Sequence, residues 1–128
     1  MPPKAIQTDA APAALGPYSQ AIQTDNTLYL SGQLGIDPAV GKLVSEEAAA
    51  QAKQALENIR AILQAAGFAL SDVVQVLVLL TNINDFGAIN AIYKDFFRPP
   101  YPARAAYAVA ALPAGAAVEI IATAVRNT

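Results

Sequence analysis

Residues 73–81 read VVQVLVLLT, a nearly unbroken run of β-branched and leucine side chains. Such a run is typical of a central strand that is covered on both faces. Because the run contains Gln75 and is much shorter than the ~20 apolar residues of a membrane span, we expect no membrane segment here. The sequence therefore predicts a sheet with this strand near its centre.

An amphipathic helix is predicted before this strand. Apolar residues recur every three or four positions over residues 52–66, which places them on one helical face. We expect Ser45 to cap this helix, Glu46 and Glu47 to lie in its first turn, and Gly67 to end it.

A second helix is predicted after the strand, over about residues 85–97, and the prolines at positions 99 and 100 stop it. Its apolar stripe consists of Phe86, Ile89, Ile92, Tyr93 and Phe96.

The outer parts of the chain add further strands. Residues 17–35 predict a hairpin around the turn Asp25-Asn26, and a short strand precedes it. ARAAYAVAAL and VEIIATAVR, residues 103–112 and 118–126, predict the last two. The order βββαβαββ defines an α+β fold in which two helices cover one face of a mixed six-stranded sheet. No element remains for the other face, so we expect a homo-oligomer, unless small alanine and threonine side chains populate that face.

Composition limits the classes of function. The 128 residues fit one domain, 1–128, because no linker, repeat or charge run divides them. A net charge of −2 with scattered lysine and arginine makes nucleic acid an unlikely partner. The N-terminal stretch MPPKAIQTDAAPAALG lacks the order of a signal peptide, so we expect a cytoplasmic protein.

Two absent residue types narrow the chemistry further. The chain has no histidine and no cysteine, which excludes a Ser-His-Asp triad, a thiol nucleophile and the common histidine-rich zinc sites. Any acid–base catalyst would be a carboxylate, a tyrosine, a lysine or a bound water. We expect neither a metal nor a cofactor.

Two charged residues lie in apolar strand-like stretches, Arg104 in PYPARAAY and Glu119 in AAVEIIATAV. Glu119 is either a functional carboxyl or an edge-strand charge that faces water or pairs with Arg126. If the last two strands formed a plain hairpin, about six residues and ~20 Å would separate the two charges. They are therefore unrelated, or they meet through another strand order or across a subunit boundary.

The stretch PARAAY followed by LPAGAAVEI resembles the signature of the reactive intermediate deaminase family, also called Rid or YjgF. The segments APAALGPYSQA, LYLSGQLG, QAKQALENIRAILQAAG and NINDFGAINAIYKDFF, and the closing AVR, are similar to their family counterparts. The resemblance covers nearly the whole chain. It implies a chorismate-mutase-like fold and a homotrimer whose sheets form an inner barrel, with active sites between subunits.

The resemblance also implies an activity, the hydrolysis of 2-aminoacrylate-type enamines and imines (2-iminopropanoate and 2-iminobutanoate) to 2-oxo acids and ammonia. The substrate is a small carboxylate with an electrophilic C=N group, which a guanidinium binds bidentately. The implied catalytic residues are Arg104 as anchor, Glu119 as acid–base group and Tyr18 as a pocket wall with a hydroxyl. The implied substrate-binding residues are Ser31, Gly32, Asn90 and Ala106, the last through its backbone N–H.

One departure from the family pattern lies beside the acid–base candidate. Many relatives read Glu-Ile-Glu-Ala where this chain reads Glu119-Ile120-Ile121-Ala122, so a second carboxylate is replaced by Ile121. Because residues two apart share a strand face, this change makes the surroundings of Glu119 drier. Two alternative functions remain open from the sequence: an endoribonuclease or translation inhibitor, and a non-catalytic trimer that binds small carboxylates.

Overall fold

The computed structural model describes residues 2–127. The strands are β1 Lys4–Ile6, β2 Ala21–Thr24, β3 Thr27–Leu30, β4 Gln33–Leu34, β5 Ile36–Asp37, β6 Lys42–Leu43, β7 Val73–Leu80, β8 Ala103–Ala108 and β9 Val118–Val125. The helices are α1 Ala48–Ala66 and α2 Phe86–Phe96. The prediction of an α+β fold in the order βββαβαββ is confirmed, with β4, β5 and β6 as additional two-residue strands.

Six strands form a continuous mixed sheet in the order β1-β2-β3-β9-β7-β8, and β4 extends it by pairing with β9. The pair β7–β8 is parallel, and the other pairs in the sheet are antiparallel. The predicted turn at Asp25-Asn26 is confirmed, since Thr24 pairs with Thr27 and Asp25 adopts a φ of 50°.

The last two strands are not a hairpin, because β7 lies between them. The segment that joins β8 to β9 is held at the end of β7 instead. The N–H of Val109 donates to the carbonyl of Leu80 at 2.8 Å, and the N–H of Thr81 donates to that of Ala117 at 3.1 Å. Of the alternatives that the sequence leaves open, the structure shows a different strand order.

Both helices pack on one face of the sheet. The side chains of Val76, Val78 and Leu80 in β7 alternate toward this face and are completely or almost completely buried. Leu77 and Leu79 point to the other face and are half-buried. Within one chain β7 is therefore covered on one face only, not on both as the apolar run predicts.

The start of α1 differs from the prediction. The helix begins at Ala48, and Glu47 occupies the capping position in an extended conformation. The hydroxyl of Ser45 accepts from the N–H of Glu47 at 3.0 Å, in a turn that precedes the helix. Glu46 and Glu47 thus lie before the first helical turn, because Ser45 uses its oxygen two residues downstream.

The end of α1 is as predicted. Gly67 adopts the left-handed conformation with a φ of 78°, and its N–H bonds the carbonyls of the last turn. The second helix is one residue shorter at each end than predicted, because a single 3₁₀ turn, Ile83–Asp85, precedes it. Within residues 2–127, no helix is both long and apolar enough to cross a membrane.

Gly67→Ala should lower the free energy of unfolding by about 1–2 kcal/mol, because an alanine Cβ is strained in the left-handed region. The matched control is Gly87→Ala in the first turn of α2, where an added Cβ meets no atom within 4 Å. That control should be neutral or stabilising by up to about 1 kcal/mol. Urea unfolding measures both, and equal losses would contradict the assignment of Gly67 as a conformational stop.

Candidate active site

Glu119 lies on β9, inside the sheet. Its Cα pairs with Leu34 of β4 on one side and with Leu79 of β7 on the other. The edge-strand interpretation is therefore wrong. Pairing with Arg126 is also wrong, because that guanidinium donates to the carbonyl of Gly67 at 3.0 Å and stacks on Phe68 at 4.5 Å.

The carboxyl group of Glu119 lies on the face that the helices leave bare. Ile121 follows it on the same face, and Leu34 and Leu79 flank it on the neighbouring strands. These apolar neighbours take the carboxyl partly out of water. Desolvation by burial raises the pKa of Glu119 above its ordinary value.

Gly32 makes room for this carboxyl. A Cβ built on Gly32 would come within 2.8 Å of the Glu119 Cδ atom and closer still to Oε2. The absence of a side chain at position 32 therefore lets the carboxyl rest against the backbone that joins β3 to β4. Among residues 2–127, the Glu119 carboxyl has no hydrogen-bond or ion-pair partner.

A buried glutamine orders the loop beside Gly32. The Gln20 side chain accepts from the N–H of Thr8 at 2.8 Å and donates to the carbonyls of Thr8, Ala11 and Pro12. Its backbone carbonyl accepts from the N–H of Ser31 at 2.9 Å. Sequence reasoning missed Gln20, because its side-chain contacts exist only once the N-terminal loop has folded.

Ser31 is bonded to the segment that precedes β2. The Ser31 hydroxyl donates to the carbonyl of Ser19 at 2.5 Å, so its proton is engaged within the chain and its oxygen lone pairs remain. Tyr18 lies in the same segment and is 54% exposed, and its hydroxyl accepts from the N–H of Leu15 at 3.4 Å. We call Ser31, Gly32 and Glu119 the carboxyl half-site.

Arg104 lies on β8, the edge strand next to β7. Its Cα pairs with Val76, whose side chain is buried under the helices, so Arg104 points to the helical face. Its Nη1 donates to Oδ1 of Asn90 at 2.7 Å. The Arg104 Cζ lies 4.7 Å from the ring centroid of Tyr93 and 5.4 Å from that of Phe86.

The backbone of Ala106 faces away from the sheet. The N–H of Val109 points toward β7, where it donates to the carbonyl of Leu80, and Ala106 pairs with Val78 in the parallel register. Because alternate residues of a strand direct their N–H groups to opposite sides, Arg104 and Ala106 direct theirs outward from the edge. We call Asn90, Arg104 and Ala106 the guanidinium half-site.

This half-site opens into a cavity of about 380 Å³. The residues that line it are Asn90, Tyr93, Lys94, Tyr101, Pro102 and Arg104. Sequence reasoning assigned Tyr93 and Phe86 to the helix core only. Their spacing with Asn90, at positions i, i+4 and i+7, places all three on one helical face, but the guanidinium that they share comes from β8.

One chain does not bring the two half-sites together. Arg104 and Glu119 pair with β7 residues three positions apart, Val76 and Leu79, on opposite sides of that strand. Strand spacing and rise place their Cα atoms about 14 Å apart. Their side chains also point to opposite faces of the sheet.

Comparison with known proteins identifies the family. Residues 8–126 match the family model described as Endoribonuclease L-PSP, and the chain belongs to this family. A 2-iminobutanoate/2-iminopropanoate deaminase of Bos taurus is 58% identical over 97% of this chain and 90% of its own. The resemblance to reactive intermediate deaminases is thus confirmed.

Solved structures agree with this assignment. RidA from an Antarctic Psychrobacter is 51% identical, covers 96% of this chain and 99% of its own, and superposes with a TM-score of 0.93. The Escherichia coli TdcF structure with bound serine is 39% identical, covers 97% and 99%, and has the same TM-score of 0.93. The chorismate-mutase-like fold expected from the sequence is confirmed by these neighbours.

The raised pKa of Glu119 predicts a pH-dependent stability difference. A carboxyl whose pKa is higher in the folded state binds more protons there than in the unfolded state, so folding loses stability as pH rises through the interval between the two pKa values. Glu119→Gln removes this loss. The variant should therefore gain more stability over wild type at neutral pH than at about pH 3.5, below the ordinary glutamate pKa.

Urea unfolding at one fixed protein concentration measures this difference at both pH values. Glu46→Gln, at an exposed position before α1, is the matched control and should show no such pH dependence. A stability difference that is the same at both pH values for Glu119→Gln would show that the carboxyl is fully solvated.

Proposed function

We propose that this protein is an enamine/imine deaminase, which hydrolyses 2-iminopropanoate, 2-iminobutanoate and their 2-aminoacrylate-type enamines to 2-oxo acids and ammonia. The observation that carries the proposal is Glu119, a half-buried carboxyl that has no partner within residues 2–127, on a chain 58% identical to a named deaminase. A carboxyl in such surroundings is suited to proton transfer near neutral pH.

Arg104 anchors the substrate carboxylate. Asn90 takes one guanidinium nitrogen, which leaves the rest of the fork for a bidentate contact. The outward N–H of Ala106 lies two residues further along the same strand and donates to the same carboxylate. The TdcF relative was solved with serine, a small molecule that carries such a carboxylate.

Glu119 handles the hydrolytic water. As carboxylate it takes a proton from the water that attacks the imine carbon, which forms a C–O bond and moves the C=N electron pair to nitrogen. It returns this proton to the nitrogen, which gives a carbinolamine. The carboxylate then takes the hydroxyl proton of the carbinolamine and transfers it to the amine, and the C–N bond breaks as ammonia leaves and the carbonyl of the 2-oxo acid forms. Gly32 allows close approach to this group, Ser31 contributes its oxygen, and Tyr18 closes the pocket.

The complete site forms between subunits of a homotrimer. The bare sheet face is not occupied by small alanine and threonine side chains alone. It also carries large apolar side chains that are half-buried or exposed, among them Tyr29, Leu77, Leu79 and Ile121. A closed ring of three copies covers this face on each subunit. It also carries the guanidinium half-site of one subunit to the carboxyl half-site of the next, since one chain holds them about 14 Å apart.

Ammonia release from freshly generated 2-aminoacrylate tests the activity. Wild type should exceed the uncatalysed rate, and Glu119→Gln should lose about 10²–10⁴-fold of turnover, because the amide keeps the shape but transfers no proton. The Gln variant should still bind pyruvate through Arg104, as calorimetry measures. Glu46→Gln is the control and should remain fully active.

The same assay separates the alternatives. An endoribonuclease or translation inhibitor and a non-catalytic carboxylate binder should both leave ammonia release at the uncatalysed rate. Pyruvate binding then separates these two alternatives from each other. Only a carboxylate binder should bind pyruvate, and its Glu119→Gln and Glu46→Gln variants should bind it as tightly as wild type. Full turnover by Glu119→Gln would falsify the role of that carboxyl and assign the water to other groups.

Subunit mixing tests the shared site. Arg104→Ala and Glu119→Gln subunits, each inactive alone, should regain activity when co-expressed, because a mixed trimer contains one interface with both wild-type residues. Random assembly gives about three quarters mixed trimers and thus about a quarter of wild-type activity. Separately purified variants, combined without reassembly, are the control. Activity no higher than that control would place both residues in the same subunit's site or separate their roles.

A further inference from the structure

One helix surrounds the guanidinium of Arg104 on several sides. Three residues of α2, Phe86, Asn90 and Tyr93, lie on one helical stripe and all contact its guanidinium. The stripe is otherwise the core-facing side of the helix, where Ile89 is buried. We call these three residues the α2 cradle.

We propose that Tyr93 is a positioning residue, whose ring holds the guanidinium of Arg104 in the orientation that binds the substrate carboxylate. This inference rests on the proposed role of Arg104 as anchor and names the residue that sets its affinity. Tyr93 acts through Arg104 and does not itself touch the reacting atoms.

Geometry supports the ring as the active part of Tyr93. The Cζ of Arg104 lies 4.7 Å from the ring centroid, within the range of a cation–π contact. The hydrogen bond to Asn90 at 2.7 Å fixes one nitrogen of the same plane. One hydrogen bond and one contact with a ring together leave the guanidinium little freedom to rotate, so its remaining N–H groups keep one orientation.

The hydroxyl of Tyr93 has no such role. The residue is only 4% exposed, and its buried hydroxyl has no hydrogen-bond partner among residues 2–127. Burial accordingly raises the pKa of Tyr93, and the Arg104 charge offsets part of this rise. A phenylalanine keeps the ring and removes a buried donor that nothing satisfies.

The protein also offers a matched control in Phe97. Its ring is 4% exposed, as is Tyr93, and its centroid lies 4.8 Å from that of Tyr93. Phe97 does not contact Arg104. Tyr93→Leu and Phe97→Leu therefore remove rings from the same region of the core, and only the first removes the cation–π contact.

The experiment measures pyruvate affinity by calorimetry, imine turnover and thermal unfolding in the full-length variants. Tyr93→Leu should weaken pyruvate binding and raise KM by between about two- and thirtyfold, the range that one cation–π contact spans, with kcat within about twofold. Tyr93→Phe should match wild type in both. Phe97→Leu should unfold at a lower temperature and keep wild-type affinity.

A direct readout comes from the Nε–Hε NMR signal of Arg104, which the Tyr93 ring current shifts. Tyr93→Leu should move this signal and Tyr93→Phe should not. The inference is overturned if Tyr93→Phe loses as much affinity as Tyr93→Leu, if Phe97→Leu weakens binding equally, or if wild type does not bind pyruvate. If wild type binds pyruvate but releases no ammonia, the proposed deaminase activity is refuted, while the role of Tyr93 in positioning Arg104 for carboxylate binding still holds.

Discussion

The register of β7 between β8 and β9 is the constraint on which the rest of this structure depends. Side chains alternate along a strand, so the pairing of Val76 with Arg104 and of Leu79 with Glu119 fixes the face that each charge occupies. A slip of one residue would send the guanidinium to the bare face and the carboxyl into the helix-covered core. The buried side chains of Val118, Ile120 and Ala122 oppose such a slip of β9, because they would have to leave the core.

Much of this architecture is readable from the sequence. Helix periodicity in residues 52–66, the stop at Gly67 and the hairpin at Asp25-Asn26 are local signals, and the structure follows them. The position of β7 between the last two strands is not readable in that way, because strand order depends on which non-local pairings bury the most apolar surface. The predicted start of α1 is wrong for a local reason. A serine hydroxyl caps a turn as readily as a helix, and Ser45 caps the turn that precedes α1.

The candidate site divides along the same line. Arg104 and Glu119 stand out in the sequence because each is a lone charge in an apolar strand. Their partners do not stand out. Tyr93 and Phe86 follow the pattern of core residues, and only the guanidinium that packs against them from β8 gives them a second role. Gln20 is similar, since its four contacts to the N-terminal loop require the folded loop to exist.

The separation of the two charges within one chain has a chemical consequence. A guanidinium packed directly against Glu119 would favour the carboxylate and lower its pKa, which would weaken it as a proton donor to the departing amine. In the proposed trimer the two groups meet only across an interface, where the substrate carboxylate lies on the guanidinium and offsets its charge. Burial beside the apolar residues Leu34, Leu79 and Ile121 is then the influence that raises the pKa of Glu119. The replacement of a second glutamate by Ile121 acts in the same direction, since a neighbouring carboxylate on that face would bring water with it.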